Sequence, residues 1–426
     1  MSPTVALTIE RGCRYVGPVN KPLAGIRVVE VAQFVFVPSC GAVLADWGAE
    51  VVKVEHAERG DPQRGMRGLG GNALPDNGVN PGLEHANRGK RSIGLALDKP
   101  EALDVLYRLV ADADVFLTNY LPGPRRRLKI DIADIQAVNP NIVYARGSNT
   151  GPRGSESERG GYDLGTFWAR CGGARGVTPP ELGAALFQPA PAYGDTISGT
   201  MLAGGVAAAL LARERTGEGS VVDISLLSAG AWTLGMAVDL SLASGAPWRP
   251  LPLGRNTAPG NPLVGSYRTA DDRHIQLVMT TPTAYREDFF VRLGREDLNA
   301  DARFATVEAL MANSDDAAAI IATEIASRPL AFWAERFATM RGQWAIVQDS
   351  LELGHDHELR ANGHVVPVAG SSGVEYELVT SPVQFDESPI SLERAPTFAE
   401  QTDEILRSLG FDDDELIALK IAGAVT

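Results

Sequence analysis

The chain has 426 residues, with 53 acidic and 39 basic side chains and a formal charge of −14. Hydrophobic residues make up 44% and charged residues 22%, a balance that builds packed domains and excludes a disordered chain. The acidic surplus excludes a general binder of nucleic acid or anionic membrane, so any polyanionic ligand must be held by a local basic cluster.

Residues 1–22 read as a polar N-terminal extension. They lack a basic n-region and a long apolar stretch, so no secretory signal is expected. The pattern then becomes regular. A β-branched strand is predicted over 26–31, a helix over 39–48 and a strand over 51–55, which makes a βαβ unit. A third strand follows at 92–97. An amphipathic helix covers 100–111, with Leu103, Leu106, Leu109 and Val110 on one face. Strands at 115–118 and 142–145 continue the alternation. Strand alternating with helix predicts an α/β fold, a large doubly wound, Rossmann-like parallel sheet covered on both faces.

Residues 147–161 form a Gly/Ser/Arg/Glu loop expected to be mobile. Helices are predicted over 164–171 and 198–214, a strand over 221–225 and one long helix over 226–242. The apolar run 197–212 is too short to span a bilayer, so no membrane association is expected. A Pro/Gly-rich linker covers 244–262. A hairpin (263–269 and 274–279) and helices at 283–293, 306–325 and 330–339 then predict a smaller α+β domain over 263–345. Segment 346–426, with short strands near 363–368 and 375–378 and helices at 398–409 and 412–422, is expected to return and complete the first domain, 23–243.

Several chemistries are excluded by what the connections lack. The first βα connection is Ala32-Gln33-Phe34-Val35-Phe36-Val37-Pro38, not G-x-G-x-x-G. A bulky apolar loop keeps a pyrophosphate off the helix N-terminus, so no dinucleotide cofactor is expected. There is no G-x-x-x-x-G-K-[ST] loop and no G-x-S-x-G elbow. Cys13, Cys40 and Cys171 have no metal or redox spacing. Their odd, sparse count fits a reducing, cytoplasmic location. His355 and His357 lack a surrounding ligand set, so no metal site is expected.

Two basic clusters and two aspartates remain. Asn87-Arg88-Gly89-Lys90-Arg91 precedes a strand, and Arg125-Arg126-Arg127 follows a Pro-Gly turn. Each cluster suits either phosphate neutralisation or a solvated surface. Asp163 and Asp195 each precede a predicted helix, where a carboxylate serves as an N-cap. The same helix-terminal N–H groups stabilise the anion, which predicts a depressed pKa and a carboxylate able to act as a nucleophile.

The ordered motifs resemble the family III CoA-transferases of the CaiB/BaiF type. They run from Pro22-Leu23-Ala24-Gly25 through Ala45-Asp46-Trp47-Gly48, Lys53-Val54-Glu55 and Gly60-Asp61-Pro62. They continue through Asn87-Arg88-Gly89-Lys90-Arg91, Asn119-Tyr120-Leu121-Pro122-Gly123, Gly161-Tyr162-Asp163 and Gly194-Asp195 to Arg213-Glu214-Arg215-Thr216-Gly217. The resemblance implies a transfer of CoA between an acyl-CoA and a free carboxylic acid, with no resident cofactor. It implies Asp195 as the residue that forms a covalent aspartyl intermediate, with Asp163 in support. It implies CoA contacts from Arg88, Lys90, Arg91, Leu95, Leu97 and Arg127, and a weakened contact at His56, where the family is basic. It further implies an interlocked homodimer, each active site lying between a large domain and the partner's small domain. Val35 aligns with a glutamine of the formyl-CoA branch, and the 254–260 loop replaces that branch's glycine run, so formyl transfer is disfavoured. The apolar Phe34-Val35-Phe36 suits either core packing or a larger, less polar acyl group. A related 2-methylacyl-CoA racemase branch has histidine where Tyr162 stands, and a phenol is a poor base at neutral pH. A non-catalytic CoA-binding protein, with both aspartates as helix caps, is the third reading.

Overall fold

The computed structural model describes residues 21–75, 77–371 and 373–426; most of the expected N-terminal extension, with Cys13, lies outside them. The chain forms two compact units. The first takes in the chain up to Ala174, Phe187–Trp248 and His357–Thr426.

Its sheet has six parallel strands: β1 (Arg27–Val31), β2 (Glu50–His56), β3 (Arg91–Leu95), β4 (Val115–Thr118), β5 (Val143–Ser148) and β6 (Val221–Ser225). Their spatial order is β3-β2-β1-β4-β5-β6. The chain therefore runs outward from β1 to one edge, then returns to β4 beside β1. Helices α1 (Phe36–Asp46), α2 (Pro81–Asn87), α3 (Pro100–Ala111), α4 (Pro122–Arg127), α5 (Ile132–Val138), α6 (Tyr193–Thr216), α7 (Leu226–Thr233) and α8 (Gly235–Ser244) belong to this unit.

Successive strand residues point to opposite faces, so each strand feeds two cores. Val28, Val51, Val115 and Val143 pack with α1 and with Leu202, Ala203 and Val206 of α6. Val29, Phe116 and Tyr144 pack with Leu106 and Val110 of α3 and with Ile405 and Leu406 of the returning tail. Gly199 lets α6 lie directly on α1: a Cβ there would sit 2.5 Å from the Phe36 carbonyl oxygen. Among the described residues α6 is the single helix long and apolar enough to cross a membrane. Its apolar face is spent on this core.

The second unit takes in Arg175–Leu186 and Arg249–Asp356. It holds an antiparallel sheet of β7 (Thr257–Ala258), β8 (Asn261–Arg268), β9 (His274–Val278) and β10 (Trp344–Ile346) in the order β10-β9-β8-β7. Helices close over an aromatic core that includes Tyr267, Phe289, Phe304, Trp333 and Phe337.

The short helices α2, α4 and α5 and strand β10 are not among the predicted elements, and three predicted helices differ in their course. The helix expected over 226–242 breaks at Leu234, and its halves bend by 73° at the adjacent glycine. The helix expected over 306–325 is interrupted at Asn313, whose side-chain amide donates to the carbonyls of Arg303 and Ala309. The helix expected from 198 starts at Tyr193, which puts Asp195 inside its first turn rather than before it.

Candidate active site

A cleft of about 1370 Å³ opens in the first unit at the carboxyl ends of the strands. It is lined by Val31 from β1, Glu55 and His56 from β2, Leu95 from β3, and Gly147 and Ser148 from β5. This is the crevice that a doubly wound sheet leaves where its strand order reverses, here between β1 and β4. The loops after these two strands are clamped together. Gln33 N donates to Asn119 Oδ1 (3.0 Å), Asn119 Nδ2 donates to Gln33 O (2.7 Å), and Gln33 Nε2 donates to the Tyr120 hydroxyl (3.1 Å).

Asp195 lines this cleft. The glycine before it is fixed by packing: a Cβ on Gly194 would come within 2.4 Å of the Phe167 ring. α6 is entered through Ala192 at φ 54°, a left-handed conformation that L-residues rarely adopt. Among the described residues no hydrogen bond reaches the Asp195 carboxylate. Burial, and next the nearby charge of Asp163, push its pKa up to about 7. The depressed pKa expected from helix-terminal N–H groups is thus not what the site produces: at the start of α6, Gly194 N serves a different carboxylate.

That carboxylate is Asp163. It is buried and accepts three hydrogen bonds: from Leu164 N (2.8 Å), Gly194 N (3.0 Å) and Gln188 Nε2 (3.0 Å). It caps the π-helical turn Leu164–Arg170 and at the same time the start of α6. Asp163 therefore does not line the cleft. It holds the backbone that carries Asp195.

The expected CoA contacts divide into two groups. His56, Leu95, Leu97 and Arg127 line the cleft. Arg88 and Lys90 do not. Arg88 is buried and forms an ion pair with Asp46 (2.8 Å). Lys90 is buried against Glu30 (2.7 Å) and also donates to Pro38 O (2.9 Å). Arg91 lies at the opposite, amino end of the strands, paired with Glu404 (2.9 Å) beside a separate cavity of about 250 Å³. Arg88 and Lys90 thus have their charges matched by buried acidic partners, whereas the Arg91 pair with Glu404 is partly exposed.

Lys90 belongs to a buried charge network behind the cleft. Lys53 pairs with Glu30 (3.2 Å) and Asp61 (2.9 Å), and donates to Ala32 O (3.0 Å). Glu55 takes Arg64 (2.6 Å) and the Ser92 hydroxyl (2.7 Å). Buried charges are tolerated only when matched in this way. Burial, with Glu30 opposing it, pulls Lys90 down to about 8.

Two cleft cations carry no ion pair among the described residues, Arg59 and Arg127. Arg59 was not anticipated. It lies three residues beyond His56, in the turn that follows β2, and lines the same cleft. Arg125 is tied to Asp131 (3.0 Å) and Arg126 to Glu158 (3.0 Å). Among the described residues no group of His, Cys, Asp and Glu is arranged to hold a metal ion.

The chain is similar in sequence and fold to several known proteins. A protein from Clostridium sporogenes named cinnamoyl-CoA:phenyllactate CoA-transferase is 31% identical over 93% of this chain and 95% of its own. A (R)-2-hydroxy-4-methylpentanoate CoA-transferase from Clostridioides difficile is 28% identical over 92% and 97%. A crystal structure of a CAIB/BAIF family protein from Brucella suis aligns with a TM-score of 0.77 at 26% identity, covering 92% of this chain and all of that one. The sequence model of CoA-transferase family III matches residues 23–402, nearly the whole length, and the chain belongs to that family.

Proposed function

We propose that this protein moves CoA from an acyl-CoA to a free carboxylic acid through a covalent intermediate on Asp195. The observation that carries the reading is the Asp195 carboxylate, which has no hydrogen-bond partner among the described residues and faces a large cleft also lined by Arg59 and Arg127, cations with no ion pair among those residues. The steps balance without a proton or a redox partner. The Asp195 carboxylate attacks the thioester carbonyl, the C–S bond breaks, and a mixed anhydride and CoA thiolate form. The thiolate attacks the aspartyl carbonyl of the anhydride and releases the donor acid as its carboxylate. The acceptor carboxylate then attacks the aspartyl-CoA thioester, and the thiolate returns to the acceptor's carbonyl, which frees Asp195. Splitting one transfer into such steps is the benefit of a covalent nucleophile.

Arg59 and Arg127 neutralise CoA phosphates in this scheme, and Leu95 and Leu97 flank the bound thioester. CoA is substrate rather than resident cofactor. Asp163 is a positioning residue through Gly194. The functional unit is a homodimer, a reading supported by the exposed Trp232, Met236 and Leu242 on α7 and α8.

A panel of acyl-CoA donors and carboxylic acceptors, run with wild type and Asp195→Ala, tests the transfer. Exchange in wild type and a loss of at least about a thousandfold in the variant is expected. Full exchange in Asp195→Ala refutes the nucleophile. Loss of the α-hydrogen of a 2-methylacyl-CoA in D₂O without any acceptor would point instead to the racemase branch.

A further inference from the structure

The loop after β1 carries a conformation that needs explaining. Phe34 has φ 64°, a left-handed backbone that is uncommon for a bulky aromatic residue. Such strain persists only where the surroundings over-determine it, and it concentrates at functional sites. The surroundings here do so. Asp61 Oδ1 accepts from Phe34 N (3.2 Å), and Lys53 holds both Asp61 and the Ala32 carbonyl. Asn119 clamps Gln33 from both sides. The buried charge network thus ends on the backbone of one aromatic residue in the cleft wall.

The Phe34 ring meets Tyr162 edge to face, with centroids 5.9 Å apart. Tyr162 is 67% exposed, so its ring is not held there by core packing. Its place relative to Asp195 is set by bonds: Tyr162 precedes Asp163, and Asp163 accepts from Gly194 N, next to Asp195. Phe36, whose carbonyl touches α6 at Gly199, and Leu226 extend the apolar wall. The loops and helices carrying these residues, together with β5, contribute a single cation to the lining, Arg146, and Asp223 neutralises it through two hydrogen bonds. Among the described residues, a second carboxylate on the acyl chain would find no unpaired positive partner on this wall.

From this arrangement we infer that Phe34 and Tyr162 form a specificity-determining aromatic wall that selects aromatic acyl groups over dicarboxylic ones. The inference rests on the proposed acyl-CoA site. A flat ring gains edge and face contacts from such a pair, worth about 0.5–1.5 kcal/mol beyond the area buried. A dicarboxylic half-thioester would have to desolvate its free carboxylate against apolar surface.

The test is equilibrium binding, measured by calorimetry on full-length protein carrying Asp195→Asn so that no covalent step intervenes. Cinnamoyl-CoA and glutaryl-CoA are compared, alone and with Tyr162→Ala or Phe34→Ala. Tyr162 is exposed, so its truncation leaves the core intact even if the Phe34 change perturbs folding. The expected result is a preference for cinnamoyl-CoA of at least about tenfold, which falls to within about threefold of parity in Tyr162→Ala. Equal binding of the two thioesters, tighter binding of glutaryl-CoA, no measurable binding of either, or a preference untouched by Tyr162→Ala overturns the inference. Failure of the transfer mechanism looks different: the binding preference holds, yet the wild-type enzyme transfers CoA to none of the carboxylic acceptors offered.

Discussion

At the residue scale the site turns on two aspartates with opposite environments. Asp163 takes the three N–H donors, and Asp195 takes none and feels Asp163's charge. A nucleophilic carboxylate must be ionised, so exchange should climb with pH along an acid limb centred near about 7 rather than near the ordinary carboxylate value of about 4. Asp163→Asn removes a neighbouring negative charge, which favours the Asp195 anion. The acid limb should therefore move toward lower pH, while the plateau falls because the amide keeps one acceptor oxygen for donors that use both carboxylate oxygens. A pH–rate profile measures both. A limb that stays in place, or moves upward, contradicts the electrostatic coupling. The Gly-Asp motif was legible in the sequence, but its chemistry was only half so. The helix-cap argument gave each aspartate the N–H groups of its own helix, because the chain order hides that Asp163, 31 residues before Gly194, also folds onto the start of α6.

At the element scale the basic motifs separate into charges buried in ion pairs and charges that line the cleft. The buried pairs Arg88–Asp46 and Lys90–Glu30 bridge 42 and 60 residues of sequence. No local pattern announces a partner so distant, and each cluster therefore read as available for phosphate. The strands themselves were readable, since β-branched runs alternate with one strongly amphipathic helix, Pro100–Ala111. The kink at Leu234 was not, because both halves are uniformly apolar and give no period to interrupt. The two classes of charge predict different losses. Lys90→Met leaves part of Glu30's buried charge unmatched and should cost about 3–5 kcal/mol of stability. Arg127→Ala, at an exposed position, should leave the melting temperature within about a degree or two and weaken CoA binding roughly fivefold to tenfold, more at low salt. Thermal denaturation and calorimetry read the two effects separately. A stable Lys90→Met, or an Arg127→Ala with unchanged CoA affinity, reverses the assignment.

At the scale of the whole molecule, the net charge of −14 and a polyanionic substrate are compatible because the positive charge is local. Arg59 and Arg127 sit at the mouth of one cleft, while most other cations are consumed in ion pairs. Exposed Trp232 and Met236 argue for a second copy of the chain. Sedimentation at micromolar concentration should give twice the 45.3 kDa of one chain, and a single-chain mass would contradict the homodimer. The central claim, however, is that Asp195 becomes acylated and then carries CoA. Wild-type protein turning over an acyl-CoA should be quenched with hydroxylamine, digested and analysed by mass spectrometry. The account predicts a hydroxamate on the peptide containing Asp195, absent when the acyl-CoA is omitted. Sustained exchange with Asp195 unmodified, or the adduct on another residue, would contradict it.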